Sequence, residues 1–180
     1  MRSFIFLRIS MSSSNKLPLK KLTENFYLEN SGLLEVLDKD LGQGWKSSSK
    51  VRGYGIILIS INSLTFGIPL RSNIKHKQAF FTTPKTDNDQ YGRKGLDYSK
   101  AVLITDNNYV DNSSFRIHVT EFDRIQDNHA HIKAQFEKYI ERYIDAVTKK
   151  DIHKMKLYSY STLKNYHQEL NIEDSTNNTP

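Results

Sequence analysis

Between Tyr54 and Pro69 the chain spells out a β-hairpin, and this constrains the fold more than any other stretch. Ile56-Ile57-Leu58-Ile59-Ser60-Ile61 is a β-branched run with the length of a buried strand. Asn62-Ser63 supplies a tight turn, and Leu64-Thr65-Phe66-Gly67-Ile68 returns as the second arm. The first arm is apolar on both faces, so it is expected to be a central strand covered on both sides. Pro69 has no N–H to give to a ladder, so pairing is expected to stop there and residues 70–77 to leave the sheet as a loop. Gln78 to Thr82 resumes an extended pattern, and Ala101 to Ile104 and Phe115 to Val119 predict two more strands. Residues 84–95, punctuated by Pro84, Gly92 and Gly95, read as a long loop.

Helical signals flank this β-rich middle. Leu17 to Leu22 predicts a short strand, Thr23 an N-cap, and Leu33, Leu34, Val36 and Leu37 an apolar stretch of helical type closed by Gly42 and Gly44. Downstream, Ile132, Phe136, Ile140, Tyr143, Ile144 and Val147 recur at helical spacing, predicting a helix over 129–148 with one face on the sheet. Asp127-Asn128 separates it from a short helix at 121–126, which Thr120 and Asp123 are expected to cap. Ser159 or Ser161 predicts the start of a last helix through Leu163, Tyr166 and Leu170. The order predicts an α+β fold with a mostly antiparallel sheet, one domain over 17–172, a disordered lead at 1–16 and a disordered tail at 173–180. Met11, followed by Ser12-Ser13-Ser14, offers a second translation start.

Composition narrows the chemistry. The 180 residues include no cysteine, which excludes a disulfide framework, a thiol nucleophile and a cysteine–zinc site, and fits a reducing cytoplasm. No run approaches the ~18 apolar residues of a membrane span. The net charge is +6, and its distribution is uneven. Residues 46–100 hold ten basic side chains against three acids (Asp87, Asp89 and Asp97), a net of +7, while the rest of the chain nets −1. A basic excess confined to one segment points to a polyanionic partner.

Motif-borne chemistries are missing. There is no phosphate-binding glycine loop, no dinucleotide fingerprint and no nucleophile elbow. His129 and His131 lie two apart and face different ways on a helix, so they read as surface histidines, and no metal site is expected. The basic segment also lacks the carboxylate pair that a metal-dependent nuclease needs. What remains is Arg71-Ser72-Asn73-Ile74-Lys75-His76-Lys77 after the hairpin. RNA cleavage without a metal requires proton transfer to and from oxygen and positive charge at phosphorus, which His, Lys and Arg supply. Lys50 and Arg52, just before the hairpin, are expected to approach the same spot.

Four separated segments resemble one family in order: Arg52 to Ile57, Phe66 to Lys77, Gly95 to Ala101, and Ser161 to His167. They are similar to the toxins of type III toxin–antitoxin systems, in particular the TenpN group related to the ToxN/AbiQ endoribonucleases. The resemblance runs from about Leu17 to Ile172. It implies a cytoplasmic, metal-independent endoribonuclease, without a cofactor, that leaves a 2′,3′-cyclic phosphate and a 5′-hydroxyl. It implies two RNA partners, target cellular RNA and a small repeated RNA antitoxin that the toxin processes, with toxin and RNA assembling into closed complexes and no membrane association. It also implies a role in phage defence and a strongly twisted antiparallel sheet like that of ToxN and MazF.

Carried onto this sequence, the family's Pro-Leu-Thr-Ser-Pro-Lys motif falls on Pro69, Leu70 and Ser72, with Arg71 in place of Thr, Asn73 in place of the second Pro, and Lys75 displaced by one. The family's earlier basic residue maps to Lys50 or Arg52, with Trp45 and Ser47 nearby. The expected catalytic set is therefore Ser72, Lys75, Arg52, His76 and Lys50, and the expected RNA contacts are Arg71, Asn73, Lys77, Lys46 and Lys100. The alternative reading is a non-catalytic RNA-binding module that uses residues 71–77 for phosphate contacts alone.

Overall fold

A computed structural model describes residues 17–37, 39, 40, 44, 45, 55–86, 91–111, 113 and 115–172. In chain order the strands are β1 (Leu19–Lys20), β2 (Lys39–Asp40), β3 (Gly44–Trp45), β4 (Ile56–Ile61), β5 (Leu64–Ile74), β6 (Ala79–Phe81), β7 (Arg93–Asp97) and β8 (Val102–Leu103). The helices are α1 (Glu24–Glu29), α2 (Val119–Asp127), α3 (His129–Thr148) and α4 (Ile152–Met155). Six strands form one antiparallel sheet in the order β1-β4-β5-β7-β6, with β8 also on β5, while β2 and β3 pair apart. The architecture is α+β.

The hairpin forms where the sequence predicts it. Asn62 and Ser63 take φ of 48° and 69°, the left-handed pair that matches the twist of a two-residue hairpin turn. Register then sorts the apolar residues onto two faces. Ile57 and Ile59 lie opposite Ile68 and Phe66, and Phe66 meets Phe136 of α3 edge-on at 5.3 Å between ring centres. On the other face Ile56, Gly67, Pro69 and Val102 lie against Leu22, Tyr27 and Val36. β4 is thus a central strand covered on both sides, as its composition requires, with α3 over one of them.

Pro69 does not end the strand, contrary to the reading of residues 70–77 as a loop. β5 continues to Ile74, and only residues 75–78 leave the sheet before β6. The reason is positional. Leu70 donates its N–H to Gly55 O at 2.7 Å, so Ile56 and Pro69 face each other as a pair that exchanges no hydrogen bonds. The missing donor of Pro69 therefore points to the far side of β5. There the neighbour changes from β8, at Gly67↔Val102, to β7, at Leu70↔Leu96. A proline at that junction removes no ladder bond.

Three other expectations change. The apolar stretch Leu33 to Leu37 is not helical: Asn30 closes α1 with its N–H and side-chain amide on Phe26 O, and Glu35 takes a φ of 63°. Arg93 to Gly95 belong to β7 and not to a loop. Phe115 to His118 form no strand; Phe115 gives one backbone bond to Leu19, and His118 caps α2 in place of Thr120. The 129–148 helix matches α3, burying Ile132, Phe136, Ile140 and Tyr143. Ser161 caps a short 3-10 turn over Thr162–Asn165, where a longer helix was expected. Among the described residues no helix is long and apolar enough to cross a membrane.

The β6–β7 spacing makes one test of this arrangement. A methyl group at Gly95 would lie 2.3 Å from Phe80 O and 3.0 Å from Phe81 Cα, both backbone atoms. Gly95→Ala is expected to cost stability at or above the upper end of the ~1–3 kcal/mol typical of overpacking. At roughly 2–4 °C per kcal/mol for a chain of this size, the thermal midpoint should drop by about 6 °C or more. An unchanged melting curve would disprove the close approach of these strands.

Candidate functional site

The polar end of β5 and the end of β7 meet around one buried carboxylate. Asp97 is the last residue of β7 and caps the 3-10 turn Tyr98–Lys100. Its Oδ1 accepts from the Ser99 N–H at 2.9 Å and from Ser99 Oγ at 2.7 Å. Its Oδ2 accepts from Arg71 Nη1 at 2.5 Å and lies 3.4 Å from His76 Nε2. The Asp97 side chain is 0% exposed, while those of Arg71 and His76 are 28% and 35% exposed. Two half-open cationic or titratable groups are therefore braced from below by one carboxylate that water cannot reach. Burial raises the Asp97 pKa, but hydrogen bonds from His76, Ser99 and Arg71 outweigh it and hold the carboxyl below its ordinary value.

The strand geometry explains why these side chains converge. Arg71 pairs with Gly95 and Ile74 with Arg93, so Ser72 and Asn73 together oppose Lys94. This β-bulge places two exposed residues at the point where the strand turns, the kind of irregularity that re-aims side chains. Gly92, at φ 91°, makes the close approach possible, because a Cβ there would sit 2.5 Å from Asn73 Oδ1 and 2.7 Å from Asn73 C. Asp97 and Arg71 share the sheet face opposite Leu70, Leu96 and Phe80, whose side chains point the other way.

A second ion pair borders the first. Lys100 Nζ donates to Glu35 O and Tyr160 O, each at 2.8 Å, and to Glu35 Oε2 at 3.2 Å. Burial lowers the Lys100 pKa and Glu35 works against that shift. Behind the turn, buried Thr162 donates its hydroxyl to the carbonyls of Ser99 and Ala101. The last segment of the chain thus pins residues 99–101 in place.

The expected site residues divide accordingly. Arg71 and His76 come together on Asp97, and Lys100 stands beside them on Glu35. Ser72 and Asn73 lie exposed in the bulge, and Lys75 and Lys77 are exposed in the link that follows. No hydrogen bond or ion pair to another described residue joins Ser72 to Lys75. Lys46, Lys50 and Arg52 lie outside the described residues. Sequence reasoning missed Asp97, Ser99 and Glu35. The first two had a signal: Asp97 is one of only three acids in the basic segment, and it sits with Ser99 in the Gly95 to Ala101 stretch. Glu35 had none, because it lies 65 residues from its partner Lys100.

Ser99, His76 and Asp97 are the residue types of a nucleophilic triad, but their geometry is different. Ser99 Oγ and Asp97 Oδ2 both lie 3.4 Å from the same ring nitrogen, His76 Nε2, and Ser99 donates to Asp97. A triad needs the nucleophile and the orienting carboxylate on opposite ring nitrogens. Ser99 here is a brace for Asp97. Among the described residues no three His, Asp or Glu side chains are grouped to hold a metal ion. Compared with family models, curated proteins and solved structures, the chain matches none.

Proposed function

We propose that this chain is a metal-independent endoribonuclease, the toxin of a type III toxin–antitoxin system, acting on cellular RNA and restrained by a repeated RNA antitoxin that it also processes. The observation that carries the reading is the pairing of Arg71 and His76 on buried Asp97, inside the segment that holds the chain's whole positive excess. In the reaction, the ribose 2′-oxygen loses its proton and bonds to phosphorus, and the bond to the 5′-oxygen breaks as that oxygen gains a proton. The products are a 2′,3′-cyclic phosphate and a 5′-hydroxyl. His76 is the cluster's proton-transfer group, an imidazole that can give or take a proton at Nε2 beside Asp97 and Ser99. Arg71, Lys75 and Lys77 offset the charge that builds at phosphorus. Ser72, in the bulge, holds the phosphate or the 2′-hydroxyl by hydrogen bonds. The sheet is read as the strongly twisted kind found in ToxN and MazF, with the RNA lying over the 71–77 edge in the cytoplasm and bridging several copies of the toxin.

The test is cleavage of a defined RNA by purified protein with EDTA present. Cyclic phosphate and 5′-hydroxyl ends support the reading. Salt-sensitive binding without any cleavage would assign the chain to the alternative, an RNA-binding module whose 71–77 segment makes only phosphate contacts.

A further inference from the structure

Large apolar side chains exposed on the described surface are concentrated: Ile152, Met155, Leu157 and Tyr160 all fall within nine residues. Leu157 is 65% and Tyr160 73% exposed, so neither is held by the core. The backbone of this segment is nevertheless tied to the site. Gln78 Nε2 donates to Leu157 O at 3.4 Å, and Lys100 Nζ donates to Tyr160 O at 2.8 Å. The Tyr160 carbonyl thus meets Lys100 beside the cluster, while the Leu157 and Tyr160 side chains are left exposed. Lysines outnumber acids around it: residues 149–164 carry five lysines, of which Lys149 and Lys154 pair with Asp145, Lys154 also with Asp151, and Lys164 with Glu35, while Lys156 is exposed between Met155 and Leu157.

We propose that Tyr160 and Leu157 form a base-stacking platform for single-stranded RNA that continues from the phosphate at Arg71 and His76. This rests on the ribonuclease reading above and adds to it a subsite that reads unpaired bases. An apolar strip flanked by exposed Lys150 and Lys156 fits a ligand that presents aromatic faces and phosphates together, and unpaired nucleotides do so. A folded protein partner would have to bury exposed Lys156, which lies inside the strip, along with it. Duplex RNA has its base faces stacked away and gains nothing from a tyrosine. The platform therefore gives the enzyme a preference for unpaired stretches near the cut.

The probe is a fluorescein-labelled, mixed-sequence 2′-O-methyl RNA 12-mer, which lacks the hydroxyl that attacks and so cannot be cut. Tyr160→Ala is expected to weaken its binding roughly 5- to 100-fold, the range for loss of one stacked base. The salt dependence should stay as in the parent, because no phosphate contact is lost. Tyr160→Trp should restore the affinity. In an abasic scan, the parent should lose affinity at one or two positions where Tyr160→Ala shows no further loss. Equal binding by parent and Tyr160→Ala would overturn the platform and leave the ribonuclease reading standing. Failure of the parent both to bind this probe and to cut unmodified RNA would overturn the reading beneath it. Unchanged RNA binding together with loss of self-association in Tyr160→Ala would assign the strip to a protein contact and refute the proposal.

Discussion

His76→Ala is expected to slow single-turnover cleavage of a defined RNA by roughly a hundred- to ten-thousandfold, the usual worth of a positioned proton-transfer group. Asp97 and Ser99 hold the ring at Nε2 while 35% of the side chain stays open; Nδ1 is buried, so proton transfer by this ring has to run through Nε2. Loss of the imidazole should also remove one limb of the pH–rate profile, which loss of a simple phosphate contact does not do. The stability cost should be small, since the side chain is not part of the hydrophobic core. Lys75→Ala and Ser72→Ala are the companions. Each removes an exposed group from the bulge or the link beside it, and each is expected to abolish toxicity in cells while the protein stays folded. A preorganised donor of this kind is worth ~2.7–4 kcal/mol in the transition state. Full activity in all three variants with EDTA present would place the chemistry elsewhere on the molecule.

The sequence carried the frame because the frame is set by local pattern. The run Ile56 to Ile61 and the helical spacing of Ile132, Phe136 and Ile140 each require a covered face, and no other part of the chain has to be known to read them. Pro69 misled because its effect depends on which side of the strand its nitrogen faces, a property of tertiary register and not of the residue. The same holds for the site. Arg71, His76 and Lys100 were legible as basic residues in a basic segment. Asp97, which organises two of them, was legible only as a charge to be subtracted from the excess. Glu35 reaches Lys100 from a turn that the apolar residues around it disguised as helix. The 152–160 strip escaped for a related reason: its lysines are offset by acids elsewhere in the chain, so counting charge over large blocks cancelled it.

Asp97→Asn should be strongly destabilising. The amide oxygen still accepts from Ser99, but the amide nitrogen then faces Arg71 Nη1, so donor meets donor at a position closed to solvent. Removing one partner of a buried ion pair costs about 3–5 kcal/mol, and with the Arg71 side chain 28% exposed the lower end applies. At roughly 2–4 °C per kcal/mol, the midpoint of thermal unfolding should fall by ~6 °C or more. The effect has a definite pH dependence. The folded-state pKa of Asp97 lies below its ordinary value, near ~3.9 in an unfolded chain, so its contribution is complete above that value. It is lost as pH falls through the lower, folded value, because the protonated carboxyl no longer attracts the cations. Urea unfolding of parent and variant should therefore differ most at neutral pH and converge on acidification below about pH 4. Adding Arg71→Met to Asp97→Asn should recover part of the loss, since the stranded guanidinium goes with it. A stability gap that stayed constant from pH 7 to the acid limit would show that Asp97 acts through packing and not through its charge.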